Sequence, residues 1–426
     1  MKKFTWQGQS ILKGFGIVLC LFLVLFNFSP AMQVINNIPN VVYLDSDSQK
    51  NDFFSSLPAP FNYSIEDDTQ TVSGSIDESL NKNRTSATVE LFGFIPVKTV
   101  FFYTKSNHYL IPCGQSIGIA LHTKGILVVG TSDITTTSSD GTIKNVPSPA
   151  AVAGIVAGDI ITEANGVEIY NTDNLVEICN SANGQVTLTI KRNKNPQTIT
   201  LNAAYDSREN QYKLGMWVRD STAGIGTISF FDPETLNYAA LGHAIMDIDT
   251  STVFDVKSGE ITECEIVDII KGEVGEAGEL LGTFGSSSER FGSIRTNCEF
   301  GVYGTLYGDM DIDSLSYYNQ PLPVAFPSEV RTGKATILTT LNDSTIGEYE
   351  CKVTKLFSQS KAESKGFVIE ITDSRLLEKT GGIVQGMSGS PIIQNGKIIG
   401  VVTHVMINDP QRGYCMYAYW MAELMG

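Results

Sequence analysis

Residues 194–426 repeat one pattern: short runs rich in apolar and β-branched residues, at 213–218, 224–230, 278–284, 300–306, 334–339, 348–355 and 366–371, each closed off by turn residues. Runs of this length and spacing read as strands of an all-β barrel or sandwich. Glycine, at 39 residues, outnumbers lysine and arginine together, at 30, which favours tight turns and argues against an all-helical fold. Helix candidates in this region are short, as around Met421. No repeat with a period of about 20–50 residues is visible, which disfavours a solenoid or a propeller. The fold class expected is mainly β.

Ahead of this region, residues 110–193 form a unit with a readable order. Pro112-Cys113-Gly114-Gln115-Ser116-Ile117-Gly118-Ile119 is a glycine-containing turn entering a strand, and Gly125-Ile126-Leu127-Val128-Val129-Gly130 is a fully apolar strand. Ser148-Pro149 opens a short helix that Gly154 ends. Residues 158–169 read as strand, Asn165-Gly166 hairpin turn, and strand. Residues 172–182 carry Leu175, Val176, Ile178 and Cys179 on one helical stripe, and 184–192 alternate as a closing strand. This order resembles a PDZ domain, an α+β unit. The resemblance implies β-augmentation, in which a chain terminus or an extended peptide adds a strand beside residues 116–120. The backbone amides of Gly114, Gln115, Ser116, Ile117 and Gly118 would then cradle a carboxylate.

The N-terminus reads as an export or anchor signal. Lys2, Lys3 and Lys13 accompany an apolar run that spans 18 residues from Ile11 to Phe28, at the spanning limit of about 17–25 residues. Positive charge before the run, with Asp45, Asp47 and Asp52 after it, puts the N-terminus inside and the bulk of the chain outside. The exit Phe28-Ser29-Pro30-Ala31-Met32 matches a cleavage site poorly, so residues 1–31 are expected to be an uncleaved membrane anchor. Residues 32–87, polar, acidic and without apolar periodicity, are expected to be a flexible linker. Residues 88–109 are expected to be a short β segment broken at Pro96.

Composition closes off other classes. The charge balance, 30 basic against 46 acidic side chains, gives −16, the wrong sign for a surface that neutralises nucleic-acid phosphates. The seven cysteines show no metal-like spacing and read as buried small hydrophobes. Neither a metal nor a cofactor is expected.

The chemistry concentrates in Gly381-Gly382-Ile383-Val384-Gln385-Gly386-Met387-Ser388-Gly389-Ser390-Pro391. A serine between small residues on a tight turn, followed by a buried strand, suits a nucleophile. The N–H groups of Gly386 and Ser388 can point together at a developing oxyanion. The order Gly-x-Ser-Gly-x-Pro resembles the nucleophile turn of trypsin-like serine peptidases, whose catalytic domain is an all-β double barrel. A nucleophilic serine needs a base, and His243, in the small-residue stretch 239–247, is the candidate. His108 precedes the PDZ-like unit, His122 sits inside it, and His404, in the strand after the serine turn, reads as structural. A carboxylate should orient the imidazole, and Asp247, Asp249 and Asp373 are the candidates among which spacing does not choose.

Residues 373–377, 381–391, 397–405 and 241–250, placed behind a PDZ unit and an N-terminal anchor, resemble the stage IV sporulation protein B peptidases, membrane-anchored PDZ serine peptidases of endospore-forming bacteria. The resemblance spans residues 88–426 and implies Ser388 as nucleophile, His243 as base and Asp373 as the orienting acid. An acid so close before the serine departs from the usual trypsin-like spacing, which keeps Asp247 and Asp249 open. It further implies an exported endopeptidase in the space between forespore and mother-cell membranes. Such an enzyme would process its own N-terminal region and cleave a membrane-embedded regulator of an intramembrane protease. The competing expectation is a membrane-tethered PDZ adaptor that binds peptide tails without turnover.

Overall fold

The computed structural model describes residues 16–17, 24, 26, 28–44, 53–55, 57–66, 84–104, 106–284, 288–342, 345–359 and 361–426. They fall into two units, Met1–Asn107 with Ser358–Ala362, and His108–Phe357 with Glu363–Gly426.

The first unit is a four-stranded sheet in the order Val41–Leu44, Ile95–Thr104, Arg84–Leu91, Phe61–Glu66, with only the first pair parallel. The helix Pro30–Asn37 starts on Ser29, whose hydroxyl accepts from the Met32 amide, with proline at its first position. Ile35, Leu44, Phe54, Phe61, Ala87, Val89, Val100 and Phe102 form the core. The expectation of a flexible linker at 32–87 is therefore corrected: its described residues build this sheet and helix. The apolar residues responsible are too widely spaced along the chain to show a period. The break expected at Pro96 lies instead at Phe92 and Gly93, both with positive φ, and Pro96 sits inside a strand. Of the run 11–28, only Gly16, Ile17, Val24, Phe26 and Phe28 are described, so the anchor falls largely outside the described residues. Among the described residues, no helix is long and apolar enough to cross a membrane.

The second unit contains two six-stranded antiparallel rings. Strands β1 (Ser116–Thr131), β2 (Met216–Phe231), β3 (Asn237–Ala240), β4 (Val256–Glu263), β5 (Arg290–Cys298) and β6 (Gly301–Leu306) close in the order β1-β2-β3-β6-β5-β4. Strands β7 (Gly333–Asn342), β8 (Thr345–Leu356), β9 (Phe367–Ile371), β10 (Pro391–Gln394), β11 (Lys397–Val405) and β12 (Arg412–Tyr417) close as β7-β8-β9-β12-β11-β10. The two barrels thus share one strand order. Full closure removes the sheet edges that would otherwise template aggregation. Cys113, Cys179, Cys264, Cys298, Cys351 and Cys415 are buried free thiols inside the unit.

The PDZ-like elements are not a bead before the peptidase-like barrels. Strands β1 and β2, each 16 residues long, pair along most of their length. The near ends complete the first barrel, where Ile117, Ile119 and Ile228 enter its core. The far end of β1 pairs with Ile160–Ala164, followed outward by Gln185–Arg192 and Asn195–Asn202, and Ile126 and Val128 join a second core with Ile161, Leu175, Leu188 and Ile190. Register shifts in the stretch 219–221 of β2 mark the changeover. The boundary expected at 193/194 is replaced by an insertion between two barrel strands. Its ends meet where the Ser132 amide donates to the Gly215 carbonyl at 3.0 Å. Within it, Asn165-Gly166 makes the hairpin turn with both φ positive, and helix α1 (Thr172–Ser181) starts on the Asn171 side chain.

Deleting residues 110–193 removes β1 and opens the first barrel, so that variant should melt with a smaller transition at lower temperature than wild type by circular dichroism. Replacing residues 131–216 with a two-residue turn, with Ile126→Thr and Val128→Thr to cover the exposed face, should keep a single transition, because β1 and β2 remain a hairpin.

Candidate active site

Both barrels place one connection at the same topological point, between their third and fourth strands, and these connections carry His243 and Ser388. The turn 384–390 is pinned from two sides. From the first barrel, the Thr227 amide donates to the Ser388 carbonyl at 3.1 Å and the Thr227 hydroxyl to the Gly386 carbonyl at 2.7 Å. From the second, the Gly389 amide donates to Val402 at 2.8 Å. Gly389 has φ +98°, and a Cβ there would lie 2.2 Å from the Thr227 carbonyl oxygen and 2.6 Å from the Leu241 nitrogen. Only glycine lets the serine turn press this closely on the strand leading to His243.

His243 leaves β3 through Leu241 and Gly242, both left-handed. A Cβ on Gly242 would meet Val401 at 2.8 Å and Thr403 at 3.0 Å, so this connection lies on β11 beside the serine turn. The His243 Nδ1 sits 2.9 Å from the Ala244 carbonyl oxygen. A carbonyl only accepts, so Nδ1 carries the proton and Nε2 keeps its lone pair. Burial holds His243 below its usual 6.5. The ring is therefore neutral near pH 7 and presents an unprotonated nitrogen.

Two further side chains hold the His243 connection. Asn297 accepts from the Ile245 amide at 2.8 Å and donates to the Ile245 and Phe254 carbonyls at 2.8 and 2.9 Å. Arg219, on β2, pairs with Asp247 and with Asp249. Asp247 is also occupied by the amides of Asp249 and Thr250. Single polar residues inside strands, as Thr227, Arg219 and Asn297 are, carry no motif by which a sequence could announce them.

The structure brings Ser388 and His243 onto adjacent connections, but it does not join them. The Ser388 hydroxyl donates to the Thr403 carbonyl at 3.2 Å. None of the three candidate carboxylates bonds to His243. Asp373 caps helix α2 (Ser374–Thr380), where its oxygens accept from the Arg375 amide and guanidinium and from the Glu350 amide at 2.8–3.1 Å. The register Val368↔Tyr414↔His404 shows the separation. Asp373 lies five residues beyond Val368, roughly 16 Å further along the strand direction, besides two strand spacings. The imidazole's side-chain neighbour is instead His404, with ring centroids 5.6 Å apart. The amides of Gly386 and Ser388 donate to no acceptor among the described residues, which leaves both available for an oxyanion.

The expected carboxylate cradle at Gly114, Gln115, Ser116, Ile117 and Gly118 is corrected. These residues are buried, β1 is paired here on one edge with β2 and on the other with β4, and Thr340 bonds to Gly114 and Ser116. No peptide can add to a strand paired on both edges. An available edge lies at 216–218 of β2, which pairs with β1 on one side and faces α1 on the other. Between them runs a cleft of about 270 Å³, lined by Leu175, Val176, Cys179, Leu214, Met216 and Val218 among others.

Two outcomes test this geometry. Gly389→Ala should cost about 1–3 kcal/mol by overpacking, seen as a lowered Tm, and should slow any reaction at Ser388. Asp373 titrates at about 2, well below its usual 3.8, chiefly through the Arg375 hydrogen bonds. Its stabilisation is therefore complete above the unfolded value and is lost as pH falls from about 4 towards 2. The stability gap between wild type and Asp373→Asn in denaturant melts should be constant above about pH 5 and close below about pH 4.

Comparison with known proteins adds identity to this geometry. A profile described as a PDZ domain matches residues 145–192, inside the insertion. No curated protein matches the chain. The profile described as SpoIVB peptidase S55 matches residues 210–422, half of the chain, and begins just before β2, so the strand β1 that closes its first barrel lies outside the match. The chain belongs to the SpoIVB peptidase S55 family.

Proposed function

We propose that this chain is an exported serine endopeptidase in which Ser388 is the nucleophile and His243 the general base. The observation that carries this reading is the mutual packing of two connections at equivalent points of two like barrels, with Gly389 against Thr227 and Leu241 and Gly242 against Val401 and Thr403. A turn of the Ser388 side chain away from the Thr403 carbonyl frees its hydroxyl for His243 Nε2. The imidazole takes the proton as Oγ bonds to the scissile carbonyl carbon. The Gly386 and Ser388 amides bind the oxyanion. His243 then returns the proton to the leaving amine, and water releases the acyl group by the same route. Asp373 supports this site at one remove, as the cap of the helix that leads into the nucleophile turn.

The wider role follows the family. In this reading the run 11–28 anchors the chain in a membrane, and the catalytic part lies outside the cytoplasm, between forespore and mother-cell membranes. It processes its own N-terminal region and cleaves a membrane-embedded regulator of an intramembrane protease during sporulation. The cleft beside α1 takes an extended peptide along residues 216–218, in place of the edge expected at 116–120. The adaptor reading has one observation in its favour: Ser388 and His243 are not hydrogen-bonded in this conformation.

Fluorophosphonate labelling and time-resolved self-cleavage of the full chain separate the two readings. Wild type should label and nick itself, while Ser388→Ala should do neither, since loss of a nucleophile costs on the order of a million-fold in turnover. Equal behaviour of the two proteins returns Ser388 to an ordinary turn residue and favours the adaptor.

A further inference from the structure

We propose that Leu280 is a positioning residue of this active site, whose main-chain amide aims the Gly386 N–H at the oxyanion. This rests on the peptidase reading above and deepens it. Between β4 and β5 the first barrel sends out a hairpin of two strands, Glu265–Ile270 and Glu279–Thr283, paired in the register Ile269↔Leu280. Its second strand reaches the second barrel just ahead of the serine. The Leu280 amide donates to the Gln385 carbonyl at 2.9 Å, and the Gln385 amide donates to the Gly278 carbonyl at 2.8 Å. Gln385 thus forms a parallel bridge with Glu279, with both of its main-chain groups engaged. Two further amides hold the hairpin down, Gly272 on the Thr380 carbonyl at 2.8 Å and Gly275 on the Ile407 carbonyl at 2.9 Å.

A trans peptide unit points its carbonyl and its amide in opposite directions. The Gln385–Gly386 unit is trans. A carbonyl drawn to Leu280 therefore turns the Gly386 N–H away from the hairpin, where no group among the described residues accepts it. The second donor is set by the same rule, since the Ser390 amide holds the Met387 carbonyl at 3.0 Å and so turns the Ser388 N–H away from Ser390. That hold lies within the turn, whereas the hold on Gln385 comes from the other barrel. Gly386 needs it. Its φ is +95°, and glycine tolerates the rotated peptide, with φ negative, about as readily. Rotated, the unit would present the Gln385 carbonyl, an acceptor, where an oxyanion requires a donor. The buried Leu280 side chain packs on the same residue, for a Cβ on Gly386 would lie 3.0 Å from the Leu280 Cβ. The Thr227 hydroxyl fixes the next carbonyl, that of Gly386, and leaves the 385–386 unit to Leu280.

The test uses the full chain as wild type, Leu280→Pro and Leu280→Ala. It reads Tm and the kinetics of fluorophosphonate labelling, resolved into KI and kinact. The Leu280 N–H serves Gln385 and not the hairpin's own ladder, so proline removes that one donor. Leu280→Pro should lower kinact about 100-fold or more at unchanged KI, the signature of a donor used only in the transition state. Leu280→Ala, which keeps the amide, should recover most of the rate that proline loses, although its missing side chain lowers Tm. Wild-type kinact in a folded Leu280→Pro overturns the proposal, as does an equal fall in both variants. If Leu280→Pro does not fold, amide hydrogen exchange on wild type decides. Labelling should slow exchange at Leu280 together with Gly386, because an oxyanion on Gly386 fixes the peptide plane that Leu280 also holds. Unchanged exchange at Leu280 sinks the idea. If wild type does not label at all, the peptidase reading fails and this proposal falls with it.

Discussion

Closure of the first barrel depends on a pairing that also builds something else. Strands β1 and β2 supply two of its six staves and then continue, still paired, into the PDZ-like insertion. Each strand serves two hydrophobic cores at once, with Ile117 and Ile119 in one and Ile126 and Val128 in the other. Neither core is complete without the ribbon, because a ring lacking one strand exposes two unpaired edges. The rest of the unit hangs on this arrangement. Thr227 in the second half of β2 fixes the serine turn, Arg219 near its start fixes the histidine connection, and residues 216–218 just before it border the cleft.

The candidate active site lies where the two barrels touch, and the contact is backbone on backbone. Thr227 reaches the carbonyls of Gly386 and Ser388, and Gly389 and Gly242 permit approaches that a Cβ would forbid. This explains why a glycine adjoins both His243 and Ser388. It also explains why the serine hydroxyl can rest on a neighbouring carbonyl without disturbing the turn: the turn is held by main-chain groups and does not rely on Ser388 itself.

Much of this was legible in the chain. The strand-and-turn rhythm from 213 onward announced a β fold, and Asn165-Gly166, Ser148-Pro149 and the stripe of 172–182 named the PDZ-like elements. The serine turn stood out because a glycine pattern is local. Other features escaped for identifiable reasons. The sheet in residues 30–104 is built by scattered apolar residues such as Ile35, Phe54 and Val100, whose spacing has no period. The double use of β1 escaped because residues 116–131 read equally well as a barrel strand or a PDZ strand, and pairing is decided by distant segments. Asp373 was singled out by the family resemblance and not by its spacing, and in the structure its carboxylate caps α2 and is held by Arg375 and the Glu350 amide.

The shared ribbon has a mechanical consequence. Modules joined by a flexible tether can swivel, and their relative orientation carries little information. Here no tether lies between the cleft and the barrel. A single strand runs from Met216 to Thr227, roughly 36 Å of extended chain, with backbone pairing to β1 along most of it. Such a ribbon resists bending in its plane and yields most readily by twisting. Whatever occupies the cleft therefore handles one end of a torsion bar whose other end grips the carbonyls on either side of Met387.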